Sequence, residues 1–208
     1  MTDVTIIGLP QSNFVWAARI ALAEKGVAHA VTPAAPQSPE VLAVHPLGKI
    51  PVLRHGAVTI GESRAIIDYV DATFDGPSLV PPDRADRIAS DMWTAIVTTS
   101  VEPLLIRQFL FAHMFPDTPD NQPDPARIDA LVPEAAKMLA ILETALAQRQ
   151  IGGDALSRVD AYLIPILFYV RTTPAGAELI AARARVSAYL DRHMARASVT
   201  ATMPEAAT

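Results

Sequence analysis

Residues 45–53 read HPLGKIPVL, which places Pro51 at the start of a short apolar strand. Proline has no N–H to donate to a β-ladder, so it does not suit a central strand. Two interpretations are open. Pro51 either begins an edge strand in the trans form or follows a cis peptide bond, a form that is cheap only before proline. In the cis form the N–H and C=O of Ile50 would face outward, where an extended peptide can pair with them.

Residues 61–63, GES, offer a second set of polar groups at the predicted start of a helix. Free N–H groups and the positive end of the helix dipole can hold a carboxylate there. The Ser63 hydroxyl adds a donor, and Glu62 can accept a hydrogen bond from an ammonium group. The same residues suit an ordinary first helical turn, so the pattern alone leaves a binding role and a structural role open.

Strand and helix patterns alternate over the first 75 residues or so and position both motifs. A βαβ unit followed by a helix, a hairpin and a further helix gives the order βαβαββα. The pattern predicts, in order, a strand at 4–7, a helix that ends at Gly26, a strand at 29–32, a short helix at 39–44, a hairpin at 51–60 that turns at His55 and Gly56, and a helix after Gly61.

Residues 75–83, DGPSLVPPD, are rich in proline and predict a boundary between two domains. We assign residues 1–76 to the first domain, 77–83 to a linker and 84–208 to an all-helical second domain. Apolar repeats predict a long helix ending near His113, a helix over 128–146, a helix that begins at Ser157, and short helices that end near Met194. We expect a mobile loop at 116–125 and a disordered tail from Ser198.

The sequence SRVD (157–160) has the form of a capping box, in which Ser157 and Asp160 satisfy each other's free N–H groups at a helix start. It precedes the apolar run AYLIPILFYV (161–170), which is too short to cross a bilayer and predicts a buried helix. We therefore interpret this motif as part of the folding of the protein and not as part of a binding or catalytic site.

The composition argues against several classes of protein. The 208 residues include no cysteine, which removes disulfides, thiolate metal ligands and a cysteine nucleophile. The five histidines show no ligand spacing, so we expect no metal. A net charge of −5 without a basic stripe argues against a nucleic-acid partner. The first residues do not have the pattern of a signal peptide, and we expect a cytoplasmic protein without a membrane partner.

In this order and spacing, the motifs resemble the cytosolic glutathione transferase family. The resemblance covers nearly the whole chain and rests on ARIALAEKGV in the first helix, GKIPVL before the hairpin, GESRAI at the next helix, the proline-rich linker, and GGDALSRVDAYLIPIL in the helical part. It implies a thioredoxin-like α/β N-terminal domain that binds glutathione at a cis-proline. It also implies an all-α C-terminal domain that contributes the pocket for an apolar electrophile.

The resemblance implies a role for each residue of the two polar motifs. The main chain of Ile50, beside a cis Pro51, pairs with the cysteinyl part of glutathione. Glu62 and Ser63 hold the γ-glutamyl group, and Lys49 reaches the glycyl carboxylate. Two neighbouring residues fit structural roles instead. We expect His45 to end the preceding helix and Arg64 to make ion pairs at a subunit interface.

Such an enzyme must hold the glutathione sulfur as a thiolate, although an ordinary thiol has a pKa of about 8.5. One hydrogen bond to a charged acceptor contributes about 1.5–3 kcal/mol, which corresponds to about one to two pKa units. Ser12 lies at the start of the first helix, where the serine-type classes (phi, theta and zeta) carry their catalytic serine. Asn13 is the alternative donor. Ser12 also suits a plain helix N-cap, so both readings stay open.

The resemblance predicts a cytoplasmic homodimer in which the glutathione thiolate attacks an electrophilic carbon or, as a side activity, a peroxide oxygen. One alternative is a glutathione-dependent isomerase or lyase of the zeta-like branch. It is less favoured because PQSNFVW (10–16) is not the serine-rich, arginine-containing loop of that branch. The other is a non-catalytic protein-interaction module, which is less favoured because the chain keeps both the Glu-Ser pair and the Ser12 hydroxyl.

Overall fold

A four-stranded sheet with three helices forms the N-terminal part of the computed structural model, which describes residues 3–115, 118 and 122–205. In chain order the elements are β1 (Val4–Ile7), α1 (Asn13–Glu24), β2 (Ala30–Thr32), α2 (Pro39–Leu42), β3 (Val52–His55), β4 (Val58–Gly61) and α3 (Ser63–Thr73). The sheet order is β2-β1-β3-β4, with β1 parallel to β2 and β3 antiparallel to β1 and β4. The predicted order βαβαββα and the thioredoxin-like fold are confirmed.

The hairpin between β3 and β4 turns one residue later than predicted. His55 is still paired with Val58 in the ladder, and the turn consists of Gly56 and Ala57. Gly56 has a φ of 56°, a left-handed conformation that glycine adopts without steric cost. Gly56 therefore correctly predicted the turn, but it is the first residue of the turn and not, as predicted, the second.

One continuous helix, Arg84–Met114, opens the C-terminal part. It consists of α4 (Arg84–Ile96), π-helical segments at Val97–Val101 and Pro103–Leu110, and α5 (Phe111–Met114). Pro103 has no N–H for the usual helical bond, and the Thr98 and Thr99 hydroxyls bond to carbonyls one turn earlier, each at 2.8 Å. These residues explain why the helix widens here. By length and composition it could cross a membrane, but 44% of its most apolar window is buried within the protein.

Five helices complete the all-helical part: α6 (Pro125–Ala147), α7 (Arg158–Arg171), α8 (Pro174–Ala181), α9 (Ala184–Met194) and α10 (Ala197–Thr200). Helix α7 is the most buried of them, with eleven of its fourteen residues inside the protein. It packs against α1, α4, α8 and α9, so it joins the N-terminal and C-terminal parts. Half of the predicted loop at 116–125 lies outside the described residues, and its last residue, Pro125, already begins α6.

The predicted capping box at the start of α7 is confirmed. The main-chain N–H of Ser157 donates to Asp160 Oδ2 at 2.8 Å, and the Ser157 hydroxyl donates to the same oxygen at 2.7 Å. The other oxygen, Oδ1, accepts a hydrogen bond from the hydroxyl of Tyr189 in α9 at 2.7 Å. Asp160 is fully buried, so its carboxylate ties two helices together inside the core.

The prediction of a disordered tail from Ser198 is wrong over its described residues. Helix α10 forms, Val199 is buried, and the Thr202 hydroxyl accepts a hydrogen bond from Trp16 Nε1 in α1 at 3.1 Å. A helix of four residues is too short to show an apolar repeat. Its partners lie more than 170 residues earlier, so local sequence does not reveal them.

An ionic contact with α1 also holds this C-terminal segment. The Glu24 carboxylate accepts hydrogen bonds from Arg196 Nε at 2.9 Å and from the Ser198 hydroxyl at 2.6 Å. Burial opposes the charged form, but the contacts with Arg196 and Ser198 outweigh it and lower the pKa of Glu24. This contact therefore contributes stability above the ordinary pKa of a glutamate, and the contribution is lost as the pH falls through the lowered pKa.

Substitution of Asp160 by alanine should lower the free energy of unfolding by about 2–4 kcal/mol, because it removes a helix cap and leaves the Tyr189 hydroxyl without its charged partner. Urea unfolding followed by circular dichroism measures the loss. Asp160→Asn, which keeps the shape and one acceptor oxygen, should lose less. Wild-type stability in the alanine variant would contradict this assignment.

Candidate functional site

The peptide bond Ile50-Pro51 is cis, which decides between the two interpretations of Pro51. Within the described ranges, the main chain of Ile50 makes no hydrogen bond to other protein groups. Gly8 lies against Ile50: a Cβ built on Gly8 would come within 3.1 Å of the Ile50 Cβ and 2.7 Å of Val15 Cγ2. Glycine at this position lets the β1–α1 loop, which leads to Ser12, run alongside the free main chain of Ile50.

Glu62 adopts an unusual backbone conformation directly before α3. Its φ of 65° and ψ of 115° lie where non-glycine residues are rare, which costs on the order of 1–3 kcal/mol. Its side chain is 65% exposed, so the carboxylate faces solvent instead of capping the helix. Ser63, the first residue of α3, is half-buried. The two residues thus present a carboxylate and a hydroxyl at one helix start.

His45 holds the Glu62 carboxylate in this position. Its Nδ1 accepts a hydrogen bond from the N–H of Leu47 at 3.1 Å, so the ring proton lies on Nε2, which is 2.9 Å from Glu62 Oε1. The imidazole is buried against Gly61, where a Cβ would come within 2.7 Å of His45 Cδ2. His45 therefore does more than follow the preceding helix. The local sequence does not reveal this contact, because it joins residues seventeen positions apart.

Lys49 lies immediately before Ile50 and is exposed. In the part of the chain that the structure describes, its ammonium group makes no ion pair or hydrogen bond. The loop that carries it is held by Gln37, whose Nε2 donates to the carbonyl of Leu47 at 2.8 Å and whose N–H donates to the carbonyl of Gly48 at 2.9 Å. The lysine is thus a free cation on a fixed loop.

Ser12 is the N-cap of α1, which is one of the two roles considered for it; the other is hydrogen-bond donor to the sulfur. Its Oγ accepts a long hydrogen bond, 3.5 Å, from the N–H of Val15, and the residue is half-buried. That bond uses a lone pair of the oxygen and leaves the hydroxyl proton available. No acceptor for this proton occurs among the residues described here. The cap and a donor role are therefore compatible.

Asn13 points into the protein instead. It is buried, and its Nδ2 donates to Oε1 of Glu102 in the long helix at 3.4 Å. Arg107 Nε donates to the same oxygen at 3.0 Å. Burial raises the pKa of Glu102, although Arg107 and Asn13 act in the opposite direction. The amide of Asn13 is thus engaged in the interior, in contrast to the hydroxyl of Ser12.

Aromatic and cationic groups follow Glu102 along the long helix. The Arg107 guanidinium lies 5.4 Å from the centre of the Phe111 ring, and Phe111 contacts Phe115 edge to face at 5.0 Å. Phe115 is 62% exposed. Glu102 links Arg107, the first residue of this surface, to Asn13 at the start of α1.

Charged side chains attach α3 to the helical part. Arg64 pairs with Asp68 at 3.7 Å and with Asp91, and the buried Arg158 of α7 pairs with the same two carboxylates. The ion pairs of Arg64 therefore lie within the chain. The role of Arg158 was not predicted; the available signal was its place between Ser157 and Asp160 at the start of an apolar helix.

Two tyrosines of α7, also missed, reach the site. The hydroxyl of Tyr169 donates to the carbonyl of Gln11 at 2.6 Å, and that of Tyr162 donates to Ser63 Oγ at 3.2 Å. Helix α7 thus contacts both the loop before Ser12 and the start of α3. Across residues 3–115, 118 and 122–205, no three His, Asp or Glu side chains cluster closely enough to hold a metal ion.

Gly61→Ala should destabilise the protein by about 1–3 kcal/mol, because the added methyl group overlaps the His45 ring. Urea unfolding gives the value. Gly153→Ala is the matched control, since a Cβ there meets nothing within 4 Å. Equal stability of Gly61→Ala and the control would show that His45 is not fixed against this glycine.

Family models and curated relatives agree on one family. Residues 6–78 match the model "Glutathione S-transferase, N-terminal domain", and residues 125–192 match "Glutathione S-transferase, C-terminal domain". The probable glutathione S-transferase GSTF1 of Oryza sativa subsp. japonica is 30% identical over 96% of this chain and 94% of its own length. Glutathione S-transferase 4 of Zea mays is 31% identical, over 89% and 85%.

Solved structures of the same family share the fold. Glutathione transferase F7 from Populus trichocarpa superposes with a TM-score of 0.84 at 27% identity, covering 97% of this chain and 100% of that one. The theta class glutathione S-transferase from Xanthomonas axonopodis pv. citri, solved with glutathione bound, gives a TM-score of 0.79 at 25% identity over the full length of both chains.

Proposed function

The chain belongs to the glutathione S-transferase family, and from this premise we propose how its residues bind glutathione, activate the thiol and assemble. The protein is a transferase that joins the glutathione sulfur to electrophilic small molecules. The thiolate forms a sulfur–carbon bond, and the leaving group departs with its electron pair. The observation that carries the residue assignment is the free main chain of Ile50, which lies beside the loop that leads to Ser12.

Each charged or polar end of glutathione has a counterpart in the proposed site. The N–H and C=O of Ile50, next to Pro51, pair with the cysteinyl backbone. The unpaired ammonium of Lys49 takes the glycyl carboxylate. The γ-glutamyl carboxylate lies at the start of α3, where the Ser63 hydroxyl and the helix N–H groups donate to it. Glu62 takes the γ-glutamyl ammonium through the carboxylate oxygen that His45 leaves free.

Ser12 is the proposed catalytic residue, because its hydroxyl proton can donate to the sulfur while its oxygen caps α1. A hydrogen bond to the thiolate contributes about 1.5–3 kcal/mol, enough to lower the thiol pKa by about one to two units. The N-terminal end of α1 stabilises the same negative charge. Asn13 is the weaker candidate, since its amide already donates to Glu102.

The electrophile lies, in this proposal, between the Ser12 loop and the long helix of the C-terminal domain. The surface formed by Arg107, Phe111 and Phe115 borders this space and offers apolar contacts. As a side activity, the thiolate would attack a peroxide oxygen, and a second glutathione would complete the disulfide. We also propose that the chain divides into a first domain at 1–76, a linker at 77–83 and a helical domain at 84–208. A cytoplasmic location is part of the same proposal.

Ser12→Ala should lower kcat/KM for conjugation at pH 6.5 about 10- to 100-fold, because the thiolate loses its hydrogen bond. The ultraviolet absorbance of the bound thiolate should report a thiol pKa that is about one to two units higher. Asn13→Ala, measured beside it, should retain more activity. Unchanged conjugation by Ser12→Ala would transfer the role to Asn13 or to a main-chain N–H. If the wild-type protein did not bind glutathione in calorimetry, the interaction-module alternative would replace this proposal.

A homodimer completes the proposal. Ile88 and Met92 lie one turn apart on α4 and are 60% and 51% exposed, and Leu47 in the Lys49 loop is 61% exposed. Exposed apolar side chains of this size mark an interaction surface when they adjoin one another, as the α4 pair does. We assign a second copy of the chain to the α4 face.

The double variant Ile88→Glu, Met92→Lys should shift the protein from dimer to monomer in analytical ultracentrifugation, because it places charges in the proposed contact. Met114→Lys, which alters an exposed methionine at the far end of the same long helix, should leave the dimer intact. A monomeric wild-type protein would contradict the proposal.

A further inference from the structure

The hydroxyl of Tyr162 joins the C-terminal domain to the proposed glutathione site. It donates to Ser63 Oγ at 3.2 Å, across ninety-nine positions of sequence. We propose that Tyr162 is a positioning residue that fixes the Ser63 hydroxyl for glutathione binding. This inference rests on the proposed function, because it concerns the γ-glutamyl end of the same site.

The hydrogen bond leaves Ser63 with a defined donor. A serine hydroxyl has one proton and two lone pairs. Because Tyr162 donates to one lone pair, the Ser63 proton is directed away from the tyrosine and is free to donate to a carboxylate. Without the tyrosine hydroxyl, the Ser63 O–H would rotate among several orientations in the free protein. Ligand binding would then have to fix one orientation, and this loss of entropy weakens binding.

Tyr162 remains a donor across the working pH range. It is 2% exposed, and burial raises its pKa to about 12, so the hydroxyl keeps its proton at neutral pH. Three charged groups act on it: Arg158 of its own helix, and Asp68 and Arg64 of α3. Burial is the largest influence on this pKa; Arg158 and Arg64 lower it and Asp68 raises it, and the net result is a hydroxyl that stays neutral.

Two further contacts hold the tyrosine in place. Its ring meets Phe14 edge to face, with the ring centres 6.0 Å apart, and Phe14 lies two residues after Ser12. One turn before Tyr162 in α7, Arg158 pairs with Asp68 and so holds α3 against α7. A single side chain of the helical domain therefore contacts both the Ser12 end and the Ser63 end of the site.

Tyr162→Phe tests the hydroxyl while keeping the ring. The dissociation constant for glutathione, measured by calorimetry, and the KM for glutathione should both rise about 3- to 10-fold. The kcat at saturating glutathione should stay within about twofold, since the hydroxyl does not touch the sulfur. Unchanged glutathione affinity would overturn the proposal.

A double-mutant cycle separates positioning from a general structural effect. In a Ser63→Ala background the tyrosine has no hydroxyl to orient, so adding Tyr162→Phe should not change affinity further. An equal loss in both backgrounds would overturn the proposal and assign the effect to packing. Tyr189→Phe is the matched control: it removes a buried hydroxyl bonded to Asp160 and should lower stability without changing glutathione affinity.

The outcomes stay distinguishable from those for the proposed function. A wild-type protein that did not bind glutathione would overturn the function itself before any variant is compared. If Tyr162→Phe did not fold, 3-fluorotyrosine at position 162 would serve instead, since its more acidic hydroxyl is a stronger donor of nearly the same shape. Glutathione affinity should then rise in the wild-type background and not with Ser63→Ala; an unchanged affinity in both would overturn the proposal.

Discussion

The packing of α7 against α1, together with its side-chain contacts to α3, is the interaction on which the rest of the molecule depends. Tyr169 holds the loop before Ser12, Tyr162 reaches Ser63, and the buried Arg158 binds carboxylates of α3 and α4. A buried guanidinium is tolerated only when its charge is paired, and the pairs that Arg158 makes with Asp68 and Asp91 connect α3 and α4 to α7. The thioredoxin-like domain supplies the proposed ligand contacts, and the helical domain fixes their positions.

The features that sequence analysis predicted correctly have local signals. Gly56 marked the hairpin, the SRVD motif marked the start of α7, and Pro51 raised the question that the cis bond answers. Each depends on residues within a few positions of one another, where the chemistry of one side chain limits the backbone. The binding roles of the residues around Ile50 were inferred from family resemblance, because local chemistry left both a binding role and a structural role open.

The features that were not predicted from the sequence depend on distant contacts or on the helix backbone. His45 and Glu62 meet across a turn of the chain, and Tyr162 meets Ser63 only after the two domains pack. Pro103 was visible in the sequence, yet an apolar repeat that continues past it predicts an ordinary helix. No periodic pattern distinguishes a residue that packs in the core from one that also orients a neighbour in the site.

The bond between Trp16 and Thr202 has a consequence for synthesis on the ribosome. The indole is fully buried beneath residues from the far end of the chain, and its N–H finds its acceptor 186 positions later. A nascent chain with only the first domain outside the exit tunnel lacks that acceptor and the aromatic partners Phe168 and Tyr169. The helix capped by Ser12 therefore reaches its final packing only after the segment around Thr202 has been synthesised and has left the tunnel.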